Sequence, residues 1–263
     1  MRKAIPWVGG KAALAKTIVP LLPEHICYCE PFAGGAAVFF AKERSRVEVL
    51  NDKNLGLVNL LRVFQRHPEA FLKELDLVVS SREWFEVCWA QPGLTDVERA
   101  ARFWYRLKNC FGSQPASHSF GTHTVGTRGI NPEVLREDVQ AVHRRLNRVI
   151  LENLDWQAVL ARYDRPHTCF YCDPPYFRVK ASYGPGMDLT DEDHGRLAKG
   201  LRGIRGKAIL SINDHPEIRR LYAWAPVVRQ IKVRYTLGLN NRTHTHKRRT
   251  FGELLVFTFT PAA

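Results

Sequence analysis

Apolar residues recur along the chain in two rhythms. Short runs of β-branched, aromatic and cysteine residues stop at a carboxylate or a turn residue. Between them lie longer stretches whose apolar positions fall three and four apart. The short runs predict strands at 27–30, 47–52, 148–152, 167–172 and 207–212. Two more, at 227–234 and 253–260, alternate apolar with polar residues and predict an antiparallel pair. The longer stretches predict helices at 12–22, 55–65, 68–78, 83–90, 95–109, 132–146, 155–162, 190–201 and 216–222. Another follows the glycine turn near 34–35. Strand and helix alternate at first, a run of helices interrupts them from 54 to 146, and the alternation then resumes. This predicts an α/β domain built from 1–53 and 147–263, with a mainly helical insert at 54–146.

One stretch organises the rest: Cys169-Phe170-Tyr171-Cys172-Asp173-Pro174-Pro175-Tyr176. Its apolar part reads as a buried strand. Pro174 and Pro175 cannot continue that strand, because each lacks an N–H and fixes its φ. Asp173 therefore sits at the carboxyl end of a strand, where open α/β sheets bind ligands. A carboxylate, a carbonyl left free by proline and the flat face of Tyr176 suit a planar substrate bearing an amino group. A solvated strand end is the plain alternative for this stretch taken alone.

Other turns supply candidates of the same kind. After the strand at 27–30 come Glu30, Pro31 and Phe32, and then Gly34 and Gly35 let a ligand lie against backbone at a helix start. The spacing is neither the dinucleotide fingerprint nor a P-loop. Asp52 ends the next strand about 20 residues on, the place from which a carboxylate reaches ribose hydroxyls; a helix cap is its other reading. Asp155 either accepts from a cofactor's adenine amino group or caps the helix it opens. Trp7, Gly10 and Lys11 belong to a further glycine turn that allows close approach of a ligand, and Lys11 at the helix start suits a nearby carboxylate or phosphate; an ordinary turn with an exposed lysine is the other reading.

The net charge of +13 over 263 residues changes the picture, since it favours a polyanionic partner, nucleic acid first. No acidic residue occurs from 100 to 132, where Arg106, Lys108, Asn109 and Arg128 stand, nor between Glu217 and Glu253, where Arg242, Lys247 and Arg248 stand. Arg178 and Lys180 lie in a loop beside Tyr176 that is placed to act as a lid. These residues are the candidate nucleic-acid contacts. Without a secretory leader or an apolar run long enough to span a membrane, the chain reads as cytoplasmic, of bacterial or phage-encoded type, with its six cysteines reduced. The cysteine pairs 27/29 and 169/172 read as small core residues rather than zinc ligands.

Taken together, P-W-V-G-G-K at 6–11, E-P-F-A-G-G at 30–35, L-N-D at 50–52 and D-P-P-Y at 173–176 resemble the motifs of one family, in that family's order. It is the Dam-type (D12 class) DNA adenine-N6 methyltransferases. The resemblance implies a Rossmann-like sheet of about seven strands, S-adenosyl-L-methionine as cofactor and double-stranded DNA as partner. It also implies methyl transfer to N6 of a flipped-out adenine, with Asp173, Pro174, Pro175 and Tyr176 catalytic. The cofactor residues implied are Trp7, Gly10, Lys11, Glu30, Pro31, Phe32, Gly34, Gly35, Asp52, Asp155 and Asp173. The insert matches the family's recognition segment only loosely, so no target sequence follows. Cytosine-N4 methylation, or a catalytically silent DNA binder of the same fold, are the alternative readings.

Overall fold

β1 (Cys27–Glu30) and β4 (Thr168–Cys172) are buried at every position, as central strands covered on both faces must be. The computed structural model describes residues 5–8, 11–76, 78–121, 129–179, 183–234 and 250–261. Among them seven strands form one sheet in the order β3-β2-β1-β4-β5-β7-β6. The others are β2 (Val47–Asn51), β3 (Ile150–Glu152), β5 (Lys207–Asn213), β6 (Val227–Arg234) and β7 (Thr250–Phe257). The first five strands in spatial order run parallel. β7 lies antiparallel between β5 and β6. The strand order reverses between β1 and β4, so their carboxyl ends open the crevice in which such sheets hold ligands.

Alternation along the strands divides the core. Tyr28, Leu50, Tyr171, Ile209 and Leu255 face α1 (Ala12–Ile18), α2 (Ala37–Ala41) and the insert. Cys29, Val49, Phe170, Leu210 and Leu254 face α8 (Trp156–Tyr163), α9 (Asp191–Arg202) and α10 (Pro216–Leu221). Cys169 and Cys172, three apart, fall on opposite faces. All six cysteines are buried and none forms a disulfide, and burial pushes the Cys169 thiol up to about 12.

The insert comprises α3 (Leu55–Arg66), α4 (Pro68–Leu75), α5 (Arg82–Ala90), α6 (Asp96–Asn109) and α7 (Pro132–Leu146). Asn54 caps α3 by accepting from Leu57 N at 3.0 Å, and Thr95 with Glu98 forms a capping box on α6. Phe64, Phe71 and Trp104 meet edge to face inside the cluster that also holds Tyr28 and Leu50. The insert's core is thus continuous with that of the sheet. Arg145 of α7 reinforces the join, donating to Glu48 Oε1 on β2 and to the Phe39 carbonyl, both at 2.8 Å.

Several element ends differ from the sequence expectation, each for a local reason. The helix expected at 12–22 is α-helical only to Ile18, and Pro20 turns Val19–Leu21 into a 3-10 turn. β3 starts at Ile150 rather than 148, because Arg148 has φ +69°, which no strand residue adopts. The last strand lies at Thr250–Phe257 rather than 253–260, its start set by pairing of Thr250 with Arg234. Among the described residues no helix is long and apolar enough to cross a membrane.

Candidate active site

Asn51, buried at the end of β2, ties the loops around the crevice together. Its side-chain amide donates to the carbonyls of Pro31 (2.8 Å) and Leu154 (3.1 Å) and accepts from Leu154 N (2.8 Å). Its carbonyl accepts from Ala33 N at 2.8 Å. The turn after β1 is thereby held against the turns after β2 and β3. Within it Gly34 has φ +47°, a conformation that favours glycine. Asp52 accepts from Gly34 N at 2.9 Å and from Asn54 N at 2.8 Å, and burial pushes its carboxyl up. The Trp7 indole packs on the turn, leaving no room for a Cβ at Gly34. Trp7 also stacks on Tyr183, with ring centroids 6.2 Å apart.

This turn forms one end of an open cleft with about 1040 Å³ of empty space. Pro31, Phe32, Gly35 and Trp156 line it there, and Asp155 stands at its exposed side. Asp155 caps α8, accepting from Gln157 N at 2.9 Å, as the second of its two sequence readings has it.

Asp173 and Pro175 line the other end. Asp173 follows β4 directly and is 21% exposed. Lys11, 4% exposed, places Nζ 2.8 Å from Asp173 Oδ1 and 3.3 Å from Glu253 Oε1. Its ammonium also donates to the Tyr176 hydroxyl at 2.6 Å and stands 4.5 Å from that ring's centroid. Lys11 therefore sits against the Asp-Pro-Pro-Tyr motif itself. Burial pushes the Asp173 carboxyl up to about 6; Lys11 opposes this shift and the charge of Glu253 adds to it. Just beyond the motif, Phe177 N donates to Asn213 Oδ1 at 2.9 Å and the Asn213 amide returns a bond to the Phe177 carbonyl at 3.2 Å. The end of β5 thus fixes the backbone next to Tyr176. Pro174 is buried.

Glu30 lines the cleft from β1 and is buried. Tyr28 OH (2.7 Å) and Phe39 N (2.9 Å) donate to its Oε1. Burial raises its pKa from 4.5 to about 8, against the lowering effect of those two bonds. The sign follows from linkage. Between those pH values the folded chain holds a proton that the unfolded chain has released. Stability from Glu30 is therefore full below the unfolded pKa and is lost as pH rises through the folded one. Glu30→Gln is expected to flatten the fall of thermal stability between pH 5 and 8, read by melting the cofactor-free protein. Parallel wild-type and variant pH profiles would count against a protonated Glu30.

The candidate DNA contacts fare differently from one another. Lys108 is exposed near the end of α6. Arg106 is half-buried, with its guanidinium 4.0 Å from the Trp89 ring centroid. Asn109 is buried; its amide donates to the Tyr105 carbonyl at 2.9 Å and its carbonyl accepts from Gly121 N at 2.7 Å, so it anchors the 110–121 segment. Arg178 pairs with Asp191 at 2.6 Å. Gly10, Arg128, Lys180, Arg242, Lys247 and Arg248 lie outside the described residues. Glu253, Asn213 and Asn51 shape the site, yet sequence reasoning assigns them no role. The one available signal is an isolated acid, Glu253, heading the apolar run Leu254-Leu255-Val256.

A glycine cradle after β1 that shares one cleft with a carboxylate after β4, on a sheet whose β7 runs backwards, defines the class: a Rossmann-like methyltransferase. Residues 7–236 match the D12 class N6 adenine-specific DNA methyltransferase family, and the chain belongs to that family. Its chemistry is therefore that of a transferase acting on adenine N6 in DNA. The DNA N-6-adenine-methyltransferase of Escherichia phage P1 is 28% identical over 241 residues, 84% of this chain but 31% of that longer protein. The type II methyltransferase M1.LlaDCHI of Lactococcus lactis subsp. cremoris is 30% identical over 247 residues, 84% of each chain. The DNA adenine methylase of Salmonella typhi is 25% identical over 261 residues, 92% of this chain and 91% of its own.

Proposed function

We propose that the protein transfers the methyl group of S-adenosyl-L-methionine to N6 of an adenine flipped out of duplex DNA. The observation that carries this reading is the single cleft joining the glycine turn to Asp173. Its lining fits a nucleoside cofactor. Asp52 and Asp155 offer acceptors for hydroxyl and amino groups, Phe32 and Trp156 offer apolar walls, and the Gly34–Gly35 backbone carries no side chain in the way. When bound, S-adenosyl-L-methionine supplies an electrophilic methyl group on a sulfonium.

The remaining work falls to the chain's own residues. N6 is inaccessible in a stacked duplex, so the base leaves the helix before reaction. Tyr176 stacks on it. Asp173 and the Pro174 carbonyl accept the two amino hydrogens and so aim the nitrogen lone pair. This is positioning and electrostatic complementarity, with no covalent enzyme intermediate. The amino proton becomes acidic once the nitrogen is methylated, so Asp173 need not be a strong base. The insert at 54–146 forms the recognition region, with Asn109 anchoring a segment that Arg106 and Lys108 flank. Arg178 and the basic residues Arg128, Lys180, Arg242, Lys247 and Arg248 supply charge toward the phosphates.

Incubation with mixed-sequence duplex DNA and methyl-labelled cofactor, followed by digestion to nucleosides, is expected to place label in N6-methyladenine. Label in N4-methylcytosine, or none with cofactor bound, would overturn the reading. Lys108→Ala is expected to lower the slope of log K against log salt for DNA binding by roughly one, with little sequence dependence. Fluorescence anisotropy across a salt series measures it, and an unchanged slope removes Lys108 from the interface.

A further inference from the structure

Glu253 is a buried carboxylate in the active-site region to which the mechanism above gives no part. It is 1% exposed, on a strand paired on both sides, with Asn213 of β5 and Ile231 of β6 opposite it. A carboxylate in such a place needs a cation and hydrogen bonds to persist. Ser211 of β5 donates its hydroxyl to Glu253 Oε1, and the Lys11 ammonium stands 3.3 Å from the same oxygen. The other carboxylate touching Lys11 is Asp173, at 2.8 Å. One ammonium is therefore shared between the acceptor required for the target amino group and a second carboxylate fixed in the sheet.

That sharing sets up a conflict and its resolution. With the ammonium on Asp173 Oδ1, one of the two oxygens that could receive the amino group is already engaged. A cation beside the target nitrogen also opposes the positive charge that develops on N6 during transfer. We propose that Glu253 is a positioning residue that takes over the Lys11 ammonium when the flipped base engages Asp173. Lys11 then holds Asp173 and Tyr176 in place before the base arrives, and Glu253 draws it away afterwards. The inference rests on the base-flipping reading above.

The test compares E253Q with wild type in steady-state methyl transfer across pH. Groups facing Asp173 are Lys11 from the segment before α1, Glu253 from β7, Glu30 from β1, Tyr171 and Cys172 from β4, and Tyr183 from the following loop. Only Glu253 changes in the variant, and its charge raises the proton affinity of Asp173. E253Q is therefore expected to lower kcat by roughly 10- to 100-fold, leave the KM for DNA nearly unchanged and move the acid limb of kcat to lower pH. A wild-type kcat, or a reduced kcat and melting temperature with an unmoved acid limb, overturns the proposal. A second measurement uses wild-type protein alone: its crystal structure with target duplex and a non-transferable cofactor analogue. Lys11 Nζ on Glu253 and clear of Asp173 is expected, and Nζ still on Asp173 beside the bound amino group overturns the proposal even where E253Q fails to fold. Label found in N4-methylcytosine would replace the adenine reading and leave both tests in force, since either base presents an exocyclic amine.

Discussion

Asp173→Ala is expected to lower the rate of methyl transfer by roughly 1,000-fold or more while leaving the fold close to wild type. The loss is large because Asp173 is the one charged acceptor at the end of β4, and the Pro174 carbonyl cannot orient two amino hydrogens alone. The fold persists because the change does not orphan Lys11, whose ammonium keeps Glu253 and the Tyr176 hydroxyl. It also removes a buried carboxylate whose pKa is raised to about 6, so the variant's relative stability improves as pH rises through that value. Asp173→Asn keeps an acceptor oxygen and loses the charge, and it is expected to fall between the two. Single-turnover rates with labelled cofactor, calorimetric cofactor binding and thermal melts separate these effects. Transfer within tenfold of wild type in Asp173→Ala would remove this residue from the chemistry.

What was legible in the sequence follows the range of the interactions. Asp173 and Asp52 are placed by short apolar runs that stop at a carboxylate, and a strand's end is a local property. A cap behaves likewise: Asp155, readable as the cap of the helix it opens, bonds backbone two residues on. The chain order of strands, with an antiparallel final pair, was readable from the β-α rhythm and the alternation at the end. Lys11 read as a turn lysine near the cofactor, and its pairing with Asp173 and Glu253 was not legible. That cluster forms only because β7 inserts between β5 and β6 and brings Glu253 opposite Asn213 at the end of β5, the strand next to β4. Asn213 shows the same limit. It looked like the end of a strand, and its bonds to Phe177 depend on two strands lying side by side. The insert was readable as helices, but its target was not, because base readout depends on which side chains reach the groove.

Gly34→Val weakens cofactor binding by at least about 100-fold, because two separate penalties fall on one residue. The first is conformational: φ +47° suits glycine, and a β-branched side chain there is strongly disfavoured. The second is steric, since a Cβ would lie 2.8 Å from Trp7 Nε1 and force the indole off the turn and away from Tyr183. The neighbouring glycine separates the two. A Cβ at Gly35 would meet Trp7 Cβ at 3.1 Å, and Gly35 is not among the residues with positive φ, so Gly35→Ala carries the contact without the strain. Double-mutant cycles with Trp7→Gly, which removes the Trp7 Cβ as well as the indole, then distinguish the causes. Measured against Trp7→Gly alone, the Gly35→Ala effect on cofactor Kd is expected to vanish, whereas most of the Gly34→Val effect remains, because removing the side chain does not relieve the backbone. If Trp7→Gly fully absorbs the Gly34→Val loss, the turn is held by packing and its left-handed residue is incidental. If neither substitution alters cofactor Kd, the glycine turn is not the cofactor's cradle.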